Sequence, residues 1–321
     1  MTETPDPSAR RASPRPISPY RGPMDVIVTG SSGLIGTALA VGLAADGHRV
    51  RRLVRRPARG TDEVHWDPSE GEIDQDGLEG ADGVVHLAGP GIGDKRWSDQ
   101  RKHDLREARV AGTTLLAEAL AGLQAKPAVL LSGSAIGYYG DRGDEKLTEK
   151  SKAGDDFLAG LCVDWEAAAA PAAAAGIRVA LLRTGIVLAP GGGALDKLLP
   201  LFKLGLGGRL GSGRQYWSWI TIDDEVRAIR HLLDHDVSGP VNLTAPDPAT
   251  NQEITETLGE VLHRPTLFPV PRFGPKIILG AEAAEAFLYA SQRVFPKILE
   301  ADGFTFTHPD LESGLRAVLG K

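Results

Sequence analysis

Val26-Ile27-Val28-Thr29-Gly30-Ser31-Ser32-Gly33-Leu34-Ile35-Gly36 is the stretch that decides the fold of this chain. A β-branched run ends in three glycines spaced Gly-x-x-Gly-x-x-Gly, and a helical pattern follows directly. That order reads as a buried parallel strand, a tight turn and a helix packed back on the strand. Gly30 suits backbone angles that a side chain forbids, Gly33 lets a ligand approach the main chain, and Gly36 lets helix and strand touch. The N–H groups around Ser31, Ser32, Leu34 and Ile35 then face outward at a helix N-terminus, where a pyrophosphate is favoured.

Working outward, β-rich runs alternate with helical patterns up to about Gly185. Strands are expected at 26–29, 50–54, 83–88, 128–133 and 179–184, with helices at 35–46, 101–121 and 155–175. Pro171 is expected to kink or restart the last of these. Such alternation predicts an α/β, Rossmann-type, doubly wound parallel sheet. Residues 24–190 form this dinucleotide-binding domain, with the sheet completed by later segments. Residues 191–321, with helices at 251–262 and 275–290 and a short strand at Phe304–Thr307, form a smaller C-terminal substrate-side lobe. The Pro-, Ser- and Arg-rich residues 1–23 read as a disordered tail and not as a secretory signal.

Composition narrows the function classes. With 42% hydrophobic and 24% charged residues in 321, the chain has an ordinary globular balance. A net charge of −6 argues against nucleic acid as a partner. No run approaches the length of a membrane span. The single cysteine, Cys162, excludes an internal disulfide and fits a reducing compartment. The chain is therefore expected in the cytoplasm, with a small-molecule substrate, a homodimer as its assembly, no nucleic acid and no membrane.

The strand at 50–54 ends in Arg55-Arg56. An acidic residue there would bind the 2′-hydroxyl of NAD, whereas arginine accommodates the 2′-phosphate of NADP, so NADP is the expected cofactor. A solvated basic turn is the other reading, since Arg49, Arg51, Arg52 and Arg59 lie nearby.

Several blocks carry a family resemblance: Thr29-Gly30-x-x-Gly33-x-x-Gly36, His86-Leu87-Ala88-Gly89, Ser132-Gly133-Ser134, Tyr138-Tyr139-Gly140, Asp164-Trp165-Glu166, Leu182-Arg183-Thr184-Gly185 and Gly303-Phe304. Together they resemble the extended short-chain dehydrogenase/reductases, and more narrowly an atypical epimerase-like branch of NAD(P)-binding oxidoreductases. The resemblance spans nearly everything from Met24 onward. It implies the fold, the NADP preference and hydride transfer with a carbonyl or sugar-nucleotide-like substrate. It adds Leu87, Ala88 and Gly89 to the cofactor-binding residues.

In relatives a serine or threonine orients the substrate oxygen, and a Tyr-x-x-x-Lys pair exchanges the proton, the lysine lowering a phenol that otherwise titrates near pH ~10. Ser134 matches the serine. The pair is absent: registered on Glu166, Leu158 holds the tyrosine place and Cys162 the lysine place. Three explanations stand. Tyr138 or Tyr139 supplies a phenol from another direction, with Tyr138 the better match; the protein binds NADP without turnover, as a regulator or sensor; or Asp223, Asp224 or a histidine serves as the acid/base.

Arg109 lies on a helix where relatives carry an active-site asparagine, and reads either as a cofactor or substrate contact or as a surface charge. Arg183, at a strand end, reads as a cofactor or substrate contact or as half of a buried ion pair. Trp217 and Trp219 read as a strand with one packed face or as a lid. His86 reads as a satisfied core histidine, Asp67 as a loop residue near the adenine, and Asp223-Asp224 as a helix cap. The remaining histidines show no metal-ligand spacing, so no metal is expected.

Overall fold

Val26, Ile27 and Val28 are all fully buried although successive side chains of a strand point to opposite faces. Both faces of the first strand are therefore covered, which is why its sequence is a continuous apolar run. The computed structural model describes residues 22–266 and 268–321, so the tail expected at 1–23 lies outside the described residues up to position 21.

Strand β1 (Asp25–Thr29) leads into α1 (Leu34–Ala45), then β2 (Arg49–Val54), β3 (Glu63–Asp67), β4 (Glu72–Ile73) and β5 (Gly83–His86). Helix α2 (Asp99–Gly122), β6 (Val129–Ala135), β7 (Lys146–Leu147), α3 (Phe157–Ala167), α4 (Ala170–Ala174) and β8 (Arg178–Thr184) follow. The sheet has eight strands in the order β12-β8-β6-β5-β1-β2-β3-β4, where β12 is Gly239–Leu243. Every pairing in it is parallel except β3 with β4. Val26 and Val28 face α1 and a later helix, α6 (Ile222–Asp234), through Leu39, Leu43, Ala228 and Leu232. Ile27 faces α2 through Leu116 and Leu120. Each such aliphatic side chain contributes about 1.5–3 kcal/mol by burial, so the sheet is held from two sides.

Between β8 and β12 lie β9 (Ile186–Ala189), α5 (Gly193–Lys203), β10 (Tyr216–Trp217) and β11 (Trp219–Thr221), besides α6. With α7 (Asn251–Leu262) and the C-terminal helix Leu311–Leu319 they enclose a third core around Phe202, Trp217, Trp219, Leu258 and Leu315. The two tryptophans are thus strand residues with packed faces.

Four expectations are corrected. Phe304–Thr307 forms no strand; its rings stack edge-on at 4.8 Å and Thr307 N–H donates to Asp224, so side chains replace a strand partner. The helix expected at 275–290 is broken at Gly280 (φ 90°), leaving Phe273–Leu279, Ala281–Ala284 and a π-helical turn Glu285–Tyr289. Asp67 ends β3 and is not in a loop. The run Phe157–Ala174 is long and apolar enough by length and composition to cross a membrane. It is nevertheless split into α3 and α4 ahead of Pro171 and buries Leu158, Leu161, Cys162 and Trp165.

Candidate functional site

The turn after β1 is shaped by what a side chain would strike. Gly30 has φ 65°, and a Cβ there would lie 2.7 Å from the Leu87 carbonyl carbon. A Cβ on Gly36 would lie 2.2 Å from the Gly30 carbonyl oxygen, so α1 closes onto the turn only because that position is glycine. Gly33 is the N-cap and no side chain caps α1, which leaves its first N–H groups for a ligand. Thr29 ties this turn to β5: its hydroxyl accepts from Leu87 N–H and Ala88 N–H, each at 3.0 Å, and pairs with His86 Nδ1 at 2.8 Å. Because that oxygen already accepts twice, its proton goes to Nδ1, and His86 Nε2–H donates to Thr113 at 3.0 Å. Burial pushes His86 down to about 4, so it is a neutral core residue and not a base.

At the carboxyl ends of β2, β1 and β5 opens a groove of about 1180 Å³. Gly30, Ser31, Ser32, Gly33, Leu87, Ala88 and Gly89 line its middle, and Arg55 and Arg56 its far end. Leu34, Ile35 and Gly36 lie behind it in the first turn of α1. The two arginines differ. Arg56 is held by Glu63 through both terminal nitrogens, and that guanidinium holds the Glu63 carboxyl down at about 2. Arg55 is exposed, and among the described residues it has no ion-pair or hydrogen-bond partner. Groove residues that the sequence did not point to, such as Glu63, His103 and Glu107, come from β3 and α2, which carry no motif.

Four expected contacts are used elsewhere. Ser134 Oγ donates to Glu166 Oε1 at 2.7 Å, and the same carboxylate accepts Arg183 Nε and Nη2, each at 2.8 Å. Arg183 is 3% exposed, lies 3.4 Å over the Tyr138 ring and donates to Tyr139 Oη, which donates to Asn242 Oδ1 at 2.6 Å. Ser134, Tyr138 and Arg183 therefore belong to a brace between β6, α3 and β12, behind the open site. Burial pushes the Tyr139 phenol up to about 12. Arg109 is also buried and donates to the carbonyls of Leu105 and Pro90, supporting the loop after Gly89 from below. Burial lowers Arg109 to about 10.

A second cavity, about 210 Å³, lies at the carboxyl ends of β6 and β8, the next strands along the sheet. Ala135, Leu158, Cys162, Thr184 and Ile186 form its inner wall. Tyr216, Phe287 and Gln292 form its outer wall. Leu158 and Cys162, the residues at the places of the usual catalytic pair, thus meet in one cavity. Burial pushes the Cys162 thiol up to about 12, so it stays protonated. Tyr216 is the tyrosine among the described residues that lines the cavity, with the Arg293 guanidinium 4.7 Å from its ring centroid. Thr184 Oγ1 donates at 3.0 Å to Glu225 Oε1; Glu225 is fully buried, its Oε2 is unpartnered, and burial pushes it up to about 8.

Asp223 and Asp224 do not cap α6. Thr221 does, through Asp224 N–H, while the Asp224 carboxylate accepts from Thr307 N–H and His308 N–H at 2.8 and 2.9 Å. His231, His235 and Asp302 do converge, contrary to the spacing argument. Both imidazoles reach one oxygen of Asp302, at 2.6 and 2.7 Å, an arrangement that two N–H donors satisfy. The signal was present in sequence as two histidines one helical turn apart; Asp302 is remote and carried none.

Against known proteins, residues 26–244 match the NAD dependent epimerase/dehydratase family, and residues 270–318 match a domain of unknown function, DUF1731. The epimerase family protein Mb2239 of Mycobacterium bovis is 46% identical over 291 residues, covering 90% of this chain and 96% of that one. A crystal structure of the human epimerase family protein SDR39U1 (isoform 2) with NADPH is 33% identical. It superposes with a TM-score of 0.84 over 93% of this chain and 100% of the human one. A nucleoside-diphosphate sugar epimerase from Corynebacterium glutamicum is 40% identical with a TM-score of 0.77, over 93% of this chain but 59% of that larger one.

Proposed function

The chain belongs to the NAD dependent epimerase/dehydratase family, and on that premise we propose that it is an NADP(H)-dependent oxidoreductase of a carbonyl compound. The observation that carries the reading is the pairing of an uncapped glycine cradle with Arg55, a cation at the end of the same groove that has no partner among the described residues. The residues fit a dinucleotide: two glycines stand where a Cβ would collide, helix N–H groups are open to a pyrophosphate, and an arginine is available for a 2′-phosphate. The NADPH in the human relative's structure supports the same choice.

When bound, NADPH supplies a hydride; carbonyl, hydride and one proton together make the alcohol, leaving NADP. The chain's part is to seat the carbonyl and deliver the proton. Ser134 is bonded into the brace and Tyr138 does not line the cavity, so the proton is assigned to Tyr216. Arg293 lies against its ring, the guanidinium 4.7 Å from the ring centroid, and holds the ring in the cavity wall. Gln292, which lines the same cavity, orients the oxygen through its side-chain amide. A small-molecule substrate and a cytoplasmic setting are part of the reading.

Leu158 and Cys162 in the cavity favour one rival, an NADP-binding regulator without turnover. NADPH oxidation over a panel of carbonyl compounds, with Tyr216→Phe alongside, separates the two. The enzyme reading expects turnover that Tyr216→Phe lowers by about 10²-fold or more with NADPH affinity unchanged. Binding without turnover of any panel member sinks it and leaves the regulator.

A further inference from the structure

We propose that the cavity at the ends of β6 and β8 takes a small, largely apolar carbonyl compound and excludes the sugar nucleotides for which some structural relatives are named. The inference rests on the cofactor reading above and specifies the substrate class of that site.

Three observations carry it. The first is the lining. Ala135, Leu158 and Ile186 on the inner wall face Phe287 and Ala286 on the outer one. Leu158 and Cys162 thus extend an apolar surface across the inner wall.

The second is the state of the polar groups. Thr184 already donates to Glu225, and the Cys162 thiol points to the Ala135 carbonyl at 3.8 Å. The Trp97 indole, which props the outer wall, donates to the Ile92 carbonyl at 3.0 Å and stacks edge-on with Phe287 at 5.2 Å and Phe157 at 5.1 Å. Among the described side chains of the lining, what remains free to bond a ligand is Tyr216, Gln292 and the indole N–H of Trp217, which is buried without a partner. Three such groups satisfy a carbonyl oxygen and at most one further polar atom. A hexose brings several hydroxyls, and each one buried without a partner costs about 1–3 kcal/mol, which would cancel its affinity.

The third is size. About 210 Å³ lies below the ~300–1,000 Å³ usual for drug-sized ligands. The space suits a ring or a short chain bearing one carbonyl.

The test uses the full chain saturated with NADP⁺, so that a carbonyl ligand binds without reacting. Calorimetric titrations compare benzaldehyde, cyclohexanone and 2-hexanone with UDP-glucose. Ala286→Trp fills the cavity from its outer wall, away from the dinucleotide groove, and its NADP⁺ affinity reports that it is folded. The expected result is binding of at least one of the three carbonyl compounds, more tightly than UDP-glucose. Ala286→Trp should weaken that binding by roughly tenfold or more, as overfilling a packed site does, with NADP⁺ affinity unchanged. Tighter binding of UDP-glucose, binding of none of the three, or indifference to Ala286→Trp overturns the proposal. Failure of the unmodified protein to bind NADP⁺ in the preceding titration overturns the cofactor reading itself, and this proposal with it.

Discussion

Replacing Glu225 by glutamine removes a carboxyl whose ionised form the folded protein has no means to stabilise. The carboxyl is fully buried; its one bond is from Thr184, and burial moves it from 4.5 to about 8. The sign follows from proton uptake. Between about pH 4.5 and 8 the unfolded chain has released this proton while the folded one keeps it, so stability falls as pH rises. Below the unfolded value the two states bind the proton alike and nothing is lost. Each pH unit in the window is worth about 1.4 kcal/mol, so the whole shift amounts to at most roughly 5 kcal/mol by pH 8. Glutamine keeps a group that can accept from Thr184 and never ionises. Urea denaturation of both proteins at pH 5, 6.5 and 8 should show near-equal stability at pH 5. At pH 8 the variant should be ahead by about 2–5 kcal/mol, with an unchanged denaturant slope. Parallel stability–pH curves for the two proteins would refute the reasoning, because they would mean that Glu225 titrates like an exposed acid.

Arg55→Ala should weaken NADPH binding by about 10–100-fold, the worth of charge-assisted bonds to a phosphate, with little effect on NADH; equal losses for both cofactors would contradict the 2′-phosphate assignment. Arg56→Ala, whose guanidinium Glu63 already occupies, should cost less than Arg55→Ala in the same fluorescence titration. Gly36→Ala forces a Cβ against the Gly30 carbonyl; dinucleotide binding should be lost and the melting temperature should fall, and wild-type behaviour would show that the turn relaxes freely. Asp224→Ala strips two half-buried backbone N–H groups of their acceptor and should cost about 1–3 kcal/mol in urea denaturation.

The sheet was legible because parallel strands covered on both faces are written as continuous apolar runs, and because a glycine turn between strand and helix has few other uses. Gly30 and Gly36 could be placed by steric reasoning alone. The chemistry beyond the cradle was less legible, for reasons that differ by residue. Ser134 matches a motif, but a motif does not state which face of β6 a residue occupies; Ser134 turns to Glu166 while its neighbour Ala135 lines the cavity. Arg55 and Arg56 look equivalent until Glu63, brought alongside by β3, takes one of them. Glu225 follows two aspartates at a helix start and looks like part of a cap; only the packing around α6 buries it. Tyr216 sits between a glycine loop and two tryptophans, where no local pattern separates a packing residue from a cavity wall.

The Asp224 carboxylate, with its two donors from Thr307 and His308, has a counterpart in Glu149, whose Oε1 accepts from Asn242 N–H at 3.2 Å and Ile298 N–H at 3.1 Å. Both acids are buried, and each is partnered by main chain from beyond residue 295. The two matched sequence families, at 26–244 and 270–318, therefore do not correspond to two separable modules. Cutting the chain between them would strand two carboxylates inside the first piece with backbone donors missing. The C-terminal segment completes the solvation of two charges that belong to α6 and to the loop after β7. An exchange of that segment between relatives would succeed only where the donor chain presents N–H groups at the same two places.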